Sequence, residues 1–311
     1  MAINKRKWWR KSDTQLLVLS LPTLVWYFCF WLMPLFGILV AFKTYRIYPG
    51  IGFIRSLLQS PFVGLDNFKV LFMNPDTAIT VRNTLLYNIV FIALNCILPV
   101  GLALIISELR NKRAAKVYQT ILLLPNFLSW VVIATIVYSF LSYSLGMVNQ
   151  VLTFFGQAPV SFYVEQKFWP PFLVFLSEWK GLGFGCIVYL AAITGMDKAV
   201  YEAAVVDGAT KPQQIWYITL PLLKRFIILM LIMGVGGLLN SDIGLFYVVP
   251  RDSNSLWPVT TTTGVMLYRM LRNTPIGLAS AAGVLMSAIS MVLMLSTNAI
   301  IRKVDNESAM I

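Results

Sequence analysis

The 311-residue chain contains no histidine. Its absence removes the usual metal ligand and the side chain that shuttles protons near neutral pH. Charged residues make up only 12%, about half the share found in soluble domains. Acids are scarcer still, 13 against 25 bases, and they form no cluster of the kind a membrane enzyme acting on lipid or glycan needs. Cys29, Cys96 and Cys186 are the only cysteines, and each sits in an apolar run. They read as small buried side chains rather than as a disulfide or metal set. No Gly-x-x-x-x-Gly-Lys-Ser/Thr phosphate loop occurs, so ATP chemistry is not expected on this chain, nor is a cofactor or catalytic residue.

The net charge of +12 is not spread over a basic face with interleaved aromatics, as a nucleic-acid binder requires. The basic residues fall in short segments beside apolar runs, where orientation signals lie. No nucleic-acid partner is expected.

What remains is 58% hydrophobic, with a mean hydropathy of +0.74. Several runs reach the ~20 residues a helix needs to cross the hydrocarbon core. The reading is an all-α polytopic membrane protein forming a single domain, with six spans at about 16–42, 83–107, 117–141, 172–194, 226–249 and 278–301. The first is too long for a cleaved signal peptide. Pro125 predicts a kink in the third. Glu178 and Lys180 stand near the start of the fourth, and Asn240 and Asp242 fall inside the fifth. With both termini inside, the inward segments hold fifteen basic residues and the outward ones nine, and the Lys5–Lys11 flank agrees. Residues 43–82 look too broken for a regular element, while Val265 to Leu271, after the run Thr260 to Thr263, predicts a short interfacial helix. Trp8, Trp9, Trp130 and Trp169 read as headgroup anchors. Gly181-x-Gly183-x-Gly185 reads as a close helix-packing patch.

The most specific feature is a polar stretch between the fourth and fifth spans, residues 197–221. Asp197 is placed to cap a helix over Lys198–Val206. Gly208 supplies a chain reversal that a residue with a Cβ resists. Thr210 and Gln213 form a capping box around Pro212, and Pro221 marks the entry to the next span. The expected product is helix, tight turn, helix, with Val200, Ala203, Ala204 and Val206 offering a small-residue surface.

The spacing Glu202-Ala203-Ala204, Asp207-Gly208, then Ile218, Leu220 and Pro221 resembles the EAA loop of permease subunits of binding-protein-dependent ABC importers. Gly64 to Lys69, Arg82 to Thr84, Ser129 to Val132, Trp179 to Gly181, Tyr189 to Gly195 and Leu238 to Asn240 resemble segments of the carbohydrate-type permeases, above all the oligosaccharide branch. Asp242 departs from that branch. The resemblance implies a type I ABC importer permease fold in the plasma membrane. It also implies a second permease subunit, ATPase subunits, an extracellular solute-binding protein and a carbohydrate substrate. The 197–221 loop would dock on the ATPase, with Gly208 serving either the turn alone or a close approach as well.

Two readings of the remaining polar residues stay open. Glu178 and Lys180, two apart and so on different helix faces, lie at the outer interface, or Glu178, Trp179, Asn240 and Asp242 line a translocation path. An ion-coupled secondary transporter using Glu178 or Asp242 is the alternative of a different class.

Overall fold

The computed structural model describes residues 11–46, 48–50 and 52–304; the expected anchors Trp8 and Trp9, the basic residues before Lys11 and the last seven residues lie outside them. Among the described residues every regular element is a helix, apart from one isolated bridge between Lys43 and Phe62. Five helical runs are long and apolar enough to cross a membrane: Thr14–Phe42, Pro75–Ser107, Gln166–Thr194, Lys211–Gly236 and Ile276–Lys303. The described residues form two compact units, those up to 73 with 270–285, and 74–269 with those from 286 on.

In the first unit α1 (Lys11–Tyr27) continues through a π turn, Phe28–Leu32, and a 3-10 stretch, Phe36–Phe42. The following segment is more regular than its prolines and glycines suggest. It holds α2 (Phe53–Gln59) and α3 (Asp66–Met73), which corrects the expectation of a broken loop. Side chains supply the order. Lys43 Nζ donates to Leu57 O at 2.7 Å and Leu58 O at 3.3 Å, capping α2. Asn67 Nδ2 donates to Ala41 O at 2.8 Å and ties α3 to the end of the first run.

The second unit is built on α4 (Pro75–Ser107) and α8 (Trp169–Thr194), its most extensive helix pair. Asn74 accepts from Asp76 N at 2.9 Å, so α4 starts eight residues before the apolar run does. Arg82 lies within its first turns without ending it. Two cores lie along the pair. One gathers Tyr87, Ile133, Trp169, Leu173 and Phe246; the other gathers Val100, Ile106, Cys186, Tyr189 and Leu223. Trp169 is fully buried and donates its indole N–H to Phe162 O at 2.8 Å. It is a core residue, not the interfacial anchor expected. Gly183 lets α8 approach closely, since a Cβ there would lie 2.0 Å from Leu122 O; at Gly185 it would lie 3.1 Å from Pro99, and at Gly181 it would meet nothing within 4 Å. The packing patch is therefore two glycines, not three.

Two expected spans are broken. Between α5 (Lys112–Leu123) and α6 (Trp130–Leu141) the direction changes by 92°. A proline kink does not describe this. After the 3-10 turn Leu124–Phe127, Leu128 and Ser129 are both extended, and Ser129 Oγ caps a new helix by accepting from Val132 N at 3.3 Å. The fifth run begins early and ends early. Helix α10 (Lys211–Gln214) passes through a π turn, Ile215–Thr219, into α11 (Leu220–Gly236). Pro221 does not interrupt it; it stands directly after the π turn, at the second position of α11. Helical winding stops at Gly236 and resumes in a further π turn, Gly244–Val248, so Asn240 and Asp242 sit in the gap rather than within a span.

Further on, α7 (Met147–Phe154) precedes α8, and α9 (Lys198–Val206) follows it. The chain closes with α12 (Trp257–Thr260), α13 (Thr263–Asn273) and α14 (Ile276–Val304). Helix α13 matches the expected short helix at Val265 to Leu271.

Candidate functional site: a capped hairpin and a polar junction

The hairpin forms as its residues dictate. Asp197 Oδ1 accepts from Ala199 N at 2.9 Å and opens α9. At the other end Gly208, with φ +78, adopts the left-handed conformation. Gly208 N donates to Val205 O at 3.1 Å and Ala209 N to Ala204 O at 2.9 Å, the paired bonds that close a Schellman turn. Gln213 Oε1 accepts from Thr210 N at 2.8 Å, the reciprocal half of the capping box. A Cβ at Gly208 would meet nothing within 4 Å, so within this chain the glycine serves the turn.

Four contacts not read from the sequence fasten the hairpin internally and to its neighbours. Tyr201 Oη lies 3.0 Å from Thr219 Oγ1 and 3.2 Å from Met196 Sδ. Buried Gln214 donates to Ala209 O at 3.0 Å. Lys211 pairs with Glu108 at 3.3 Å, linking the hairpin to the end of α4. Glu202, Ala203, Asp207, Gly208 and Pro221 are exposed, Ala204, Ile218 and Leu220 half-buried. Beside them an apolar surface faces outward: Val206 is 86% exposed, Tyr217 73% and Trp216 68%.

A second polar region forms where the two breaks occur. Backbone groups released from helical pairing must find partners when water is scarce, and here side chains provide them. Asn88 Nδ2 donates to Leu238 O at 2.7 Å and Asn240 O at 2.8 Å. Thr263 Oγ1 donates to Leu239 O, and Thr263 N donates to Thr84 Oγ1 at 2.9 Å. The four threonines 260–263 are all buried; Thr262 and Thr263 serve this junction, Thr260 donates to the preceding turn, and Thr261 accepts from Arg269 of α13. Lys180 Nζ donates to Asn126 O at 2.9 Å and Leu128 O at 2.7 Å, filling the carbonyls at the α5–α6 bend.

The bend and the gap are joined directly. Asp242 Oδ1 accepts from Gly244 N at 2.7 Å, and its Oδ2 accepts from Trp130 Nε1 at 2.5 Å. Gly244 is needed because a Cβ there would stand 2.0 Å from the Trp130 ring. Trp130 is thus a packing and hydrogen-bonding residue at the junction, with the Lys180 ammonium 5.4 Å from its ring centroid.

The four path candidates are not brought to one point. Glu178 is buried at 7% exposure and accepts from Asn95 Nδ2 at 3.4 Å through Oε1. Trp179 is 39% exposed, and Asn240 and Asp242 are exposed. A cavity of about 380 Å³ between α4, α8 and α11 is lined by Asn88, Asn95, Tyr189, Phe184 and Met230 but by none of the four. Asn88 and Asn95, seven apart and so on one face of α4, are the polar residues that sequence reasoning passed over. The signal was an amide pair at heptad spacing in an otherwise apolar helix.

Long apolar helices, breaks whose polar groups are satisfied by side chains, and a capped polar hairpin define a polytopic helical membrane protein. The chain belongs to the family "Binding-protein-dependent transport system inner membrane component", whose model matches residues 97–306. It is 32% identical over 298 residues to Protein LplB of Bacillus subtilis (strain 168), covering 96% of this chain and 91% of that one. It is 30% identical over 293 residues to the polygalacturonan/rhamnogalacturonan transport system permease protein YteP of the same organism, covering 94% and 89%. A chain in the crystal structure of a bacterial ABC transporter involved in the import of alginate superposes with a TM-score of 0.81 at 32% identity, over 95% of this chain and 97% of that one. The fold is therefore that of an ABC importer permease. As a member of this family the chain is a membrane-embedded transport component.

Proposed function

We propose that this chain is one of two permease subunits of an ATP-driven importer in the plasma membrane, and that its substrate is an oligosaccharide. The names of its relatives support the substrate class. The long matches at 30% identity or more include polygalacturonan/rhamnogalacturonan and alginate systems, and an arabinooligosaccharide permease follows at 27%. Other relatives at 25–31% are named for osmoprotective compounds and sn-glycerol-3-phosphate. A second solved structure of the alginate transporter, in complex with a periplasmic protein bound to alginate pentasaccharide, also superposes with a TM-score of 0.81. It supports a solute-binding protein as the donor of substrate on the outer side. Both termini lie in the cytoplasm, and nucleotide hydrolysis belongs to a separate pair of ATPase subunits.

The observation that carries the reading is the side-chain fastening of the hairpin to the helical run that follows it. Its first helix is fastened by Tyr201 to Thr219, and the helical run from Lys211 continues to Gly236. A push on exposed Glu202, Ala203 or Val206 is delivered to a long span without a flexible joint. Ala204, Asp207 and Gly208 shape the docking turn, and Ile218, Leu220 and Pro221 form the passage into the span. ATP binding closes the ATPase pair, the hairpins follow, the spans open outward, and the binding protein hands over the sugar. Hydrolysis restores the inward-facing state. Along the path, exposed Asn240 and Asp242 offer hydrogen bonds to sugar hydroxyls and Trp179 offers an apolar face, whereas buried Glu178 is held by Asn95 of α4 and stands back from it.

The test is the charge reversal Glu202→Lys in the assembled transporter. We expect the variant to insert normally, to lose co-purifying ATPase and to stop oligosaccharide uptake. Undiminished uptake with ATPase bound would falsify the coupling role.

A further inference from the structure

Four lysines surround one cavity of about 720 Å³ at a single end of the second unit. Lys112 and Lys116 come from the first turns of α5, Lys198 from the start of α9, and Lys211 from α10. The cavity lies where α4 ends (Ile106 to Glu108) and where α8 ends (Leu190 to Thr194). Only one carboxylate, Glu108, lines it, and that group is already engaged by Lys211 at 3.3 Å. Lys112, Lys116 and Lys198 have no acidic partner among the described residues. Four ammonium groups and one carboxylate leave three positive charges around one space.

Such a set is unlike a scatter of orientation signals. All four are exposed, but they line one concave site instead of scattering along the chain. The helix ends contribute too. The C-termini of α4 and α8 carry partial negative charge, which holds the lysines nearby but cannot neutralise a net charge of three. The rest of the lining is mixed: hydroxyl and amide groups from Ser107, Gln119 and Thr194, beside apolar Ile106, Leu190 and Ile193. The apolar walls and the exposed Val117, Tyr118 and Ile121 of α5 fit a ligand with a phosphate at one end.

We infer that this cavity is a binding site for a phosphate-bearing anion, engaged by Lys112, Lys116 and Lys198, with Lys211 released to it from Glu108. A basic pocket between spans at the cytoplasmic side suits an anionic lipid headgroup, and free phosphate shares the same chemistry. The lipid arm rests on the cytoplasmic orientation proposed above, whereas the charge cluster itself does not depend on the substrate or coupling assignments.

Native mass spectrometry of the intact transporter tests it. Phosphatidylglycerol, phosphatidylcholine and inorganic phosphate are titrated separately onto the wild type and onto the double variant Lys112→Gln/Lys116→Gln. Phosphatidylglycerol is expected to exceed phosphatidylcholine in bound fraction, and the variant to weaken that preference by roughly fivefold per lysine. The single variant Lys198→Gln repeats the measurement if the double variant is not obtained folded, and Lys167→Gln is the control. Phosphatidylglycerol retention in the presence of millimolar phosphate assigns the site to lipid; displacement by phosphate assigns it to the free anion. Equal binding of the two lipids together with no retained phosphate overturns the inference. So does a preference that the lysine variants leave unchanged.

Discussion

Tyr201 Oη and Thr219 Oγ1, eighteen residues apart in sequence, lie 3.0 Å from each other and close the base of the hairpin. The bond joins α9 to the π turn between α10 and α11, and so ties the first helix of the hairpin to the long helical run. Tyr201→Phe keeps the ring and removes the bond. We expect a loss of about 1 kcal/mol locally, read as faster amide exchange over Lys198–Val206. Uptake per ATP hydrolysed should fall while ATPase binding persists. Unchanged exchange would show that the clasp contributes nothing.

Gly208→Ala separates a turn from a contact. The left-handed conformation at φ +78 costs a residue with a Cβ roughly 1 kcal/mol, and nothing in this chain lies within 4 Å of the added atom. The isolated chain should therefore lose only a few degrees of thermal midpoint. A much larger loss of ATPase affinity in the complex would place a partner's backbone against Gly208; a loss in proportion would leave the turn as its only role.

Gly183 and Gly181 form a matched pair for packing. Gly183→Ala forces a carbon to within 2.0 Å of Leu122 O, so α5 and α8 must separate, at a cost of about 1–3 kcal/mol. Gly181→Ala meets open space and should be neutral or slightly stabilising through helix propensity. Thermal unfolding of the two variants in one detergent is the check, and equal midpoints would contradict the geometry.

Lys180→Met leaves the carbonyls of Asn126 and Leu128 without their donor. An unsatisfied group of this kind costs about 1–3 kcal/mol when buried. The expected outcome is a lower unfolding midpoint, with Lys180→Arg restoring part of it. If methionine is as stable as lysine, the bend is held by Ser129 and packing alone.

Asp242→Asn tests the junction without emptying it. Asparagine still accepts from one of the two donors, Gly244 N or Trp130 Nε1, but the charge is lost. We expect assembly to be retained and oligosaccharide affinity to change, measured as the KM for uptake. Asp242→Ala should also lower stability, because the indole of Trp130 then loses its 2.5 Å partner.

Much of this architecture was legible in the residues. Asp197, Gly208, Thr210 and Gln213 specify caps and a turn through bonds of short range, so their geometry follows from spacing. The long apolar runs mark the approximate position of most spans for the same reason, since each helix satisfies its own backbone, but not their number: five continuous runs stand where six were expected. Where a span ends was less legible. Hydropathy marked Asn83 as a start, yet Asn74 caps the helix, because a cap acts on backbone amides regardless of the polarity that follows.

The sequence alone determined a membrane-crossing helical chain and the hairpin, both being products of local periodicity and capping. Only the tertiary structure decided how the broken spans are held. The gap at Leu238 to Asn240 is completed by Asn88, about 150 positions away, and the bend at Asn126 to Leu128 by Lys180. Such bonds join groups with no fixed spacing. Each is required only once its neighbour has left the helix, so neither partner announces the other along the chain.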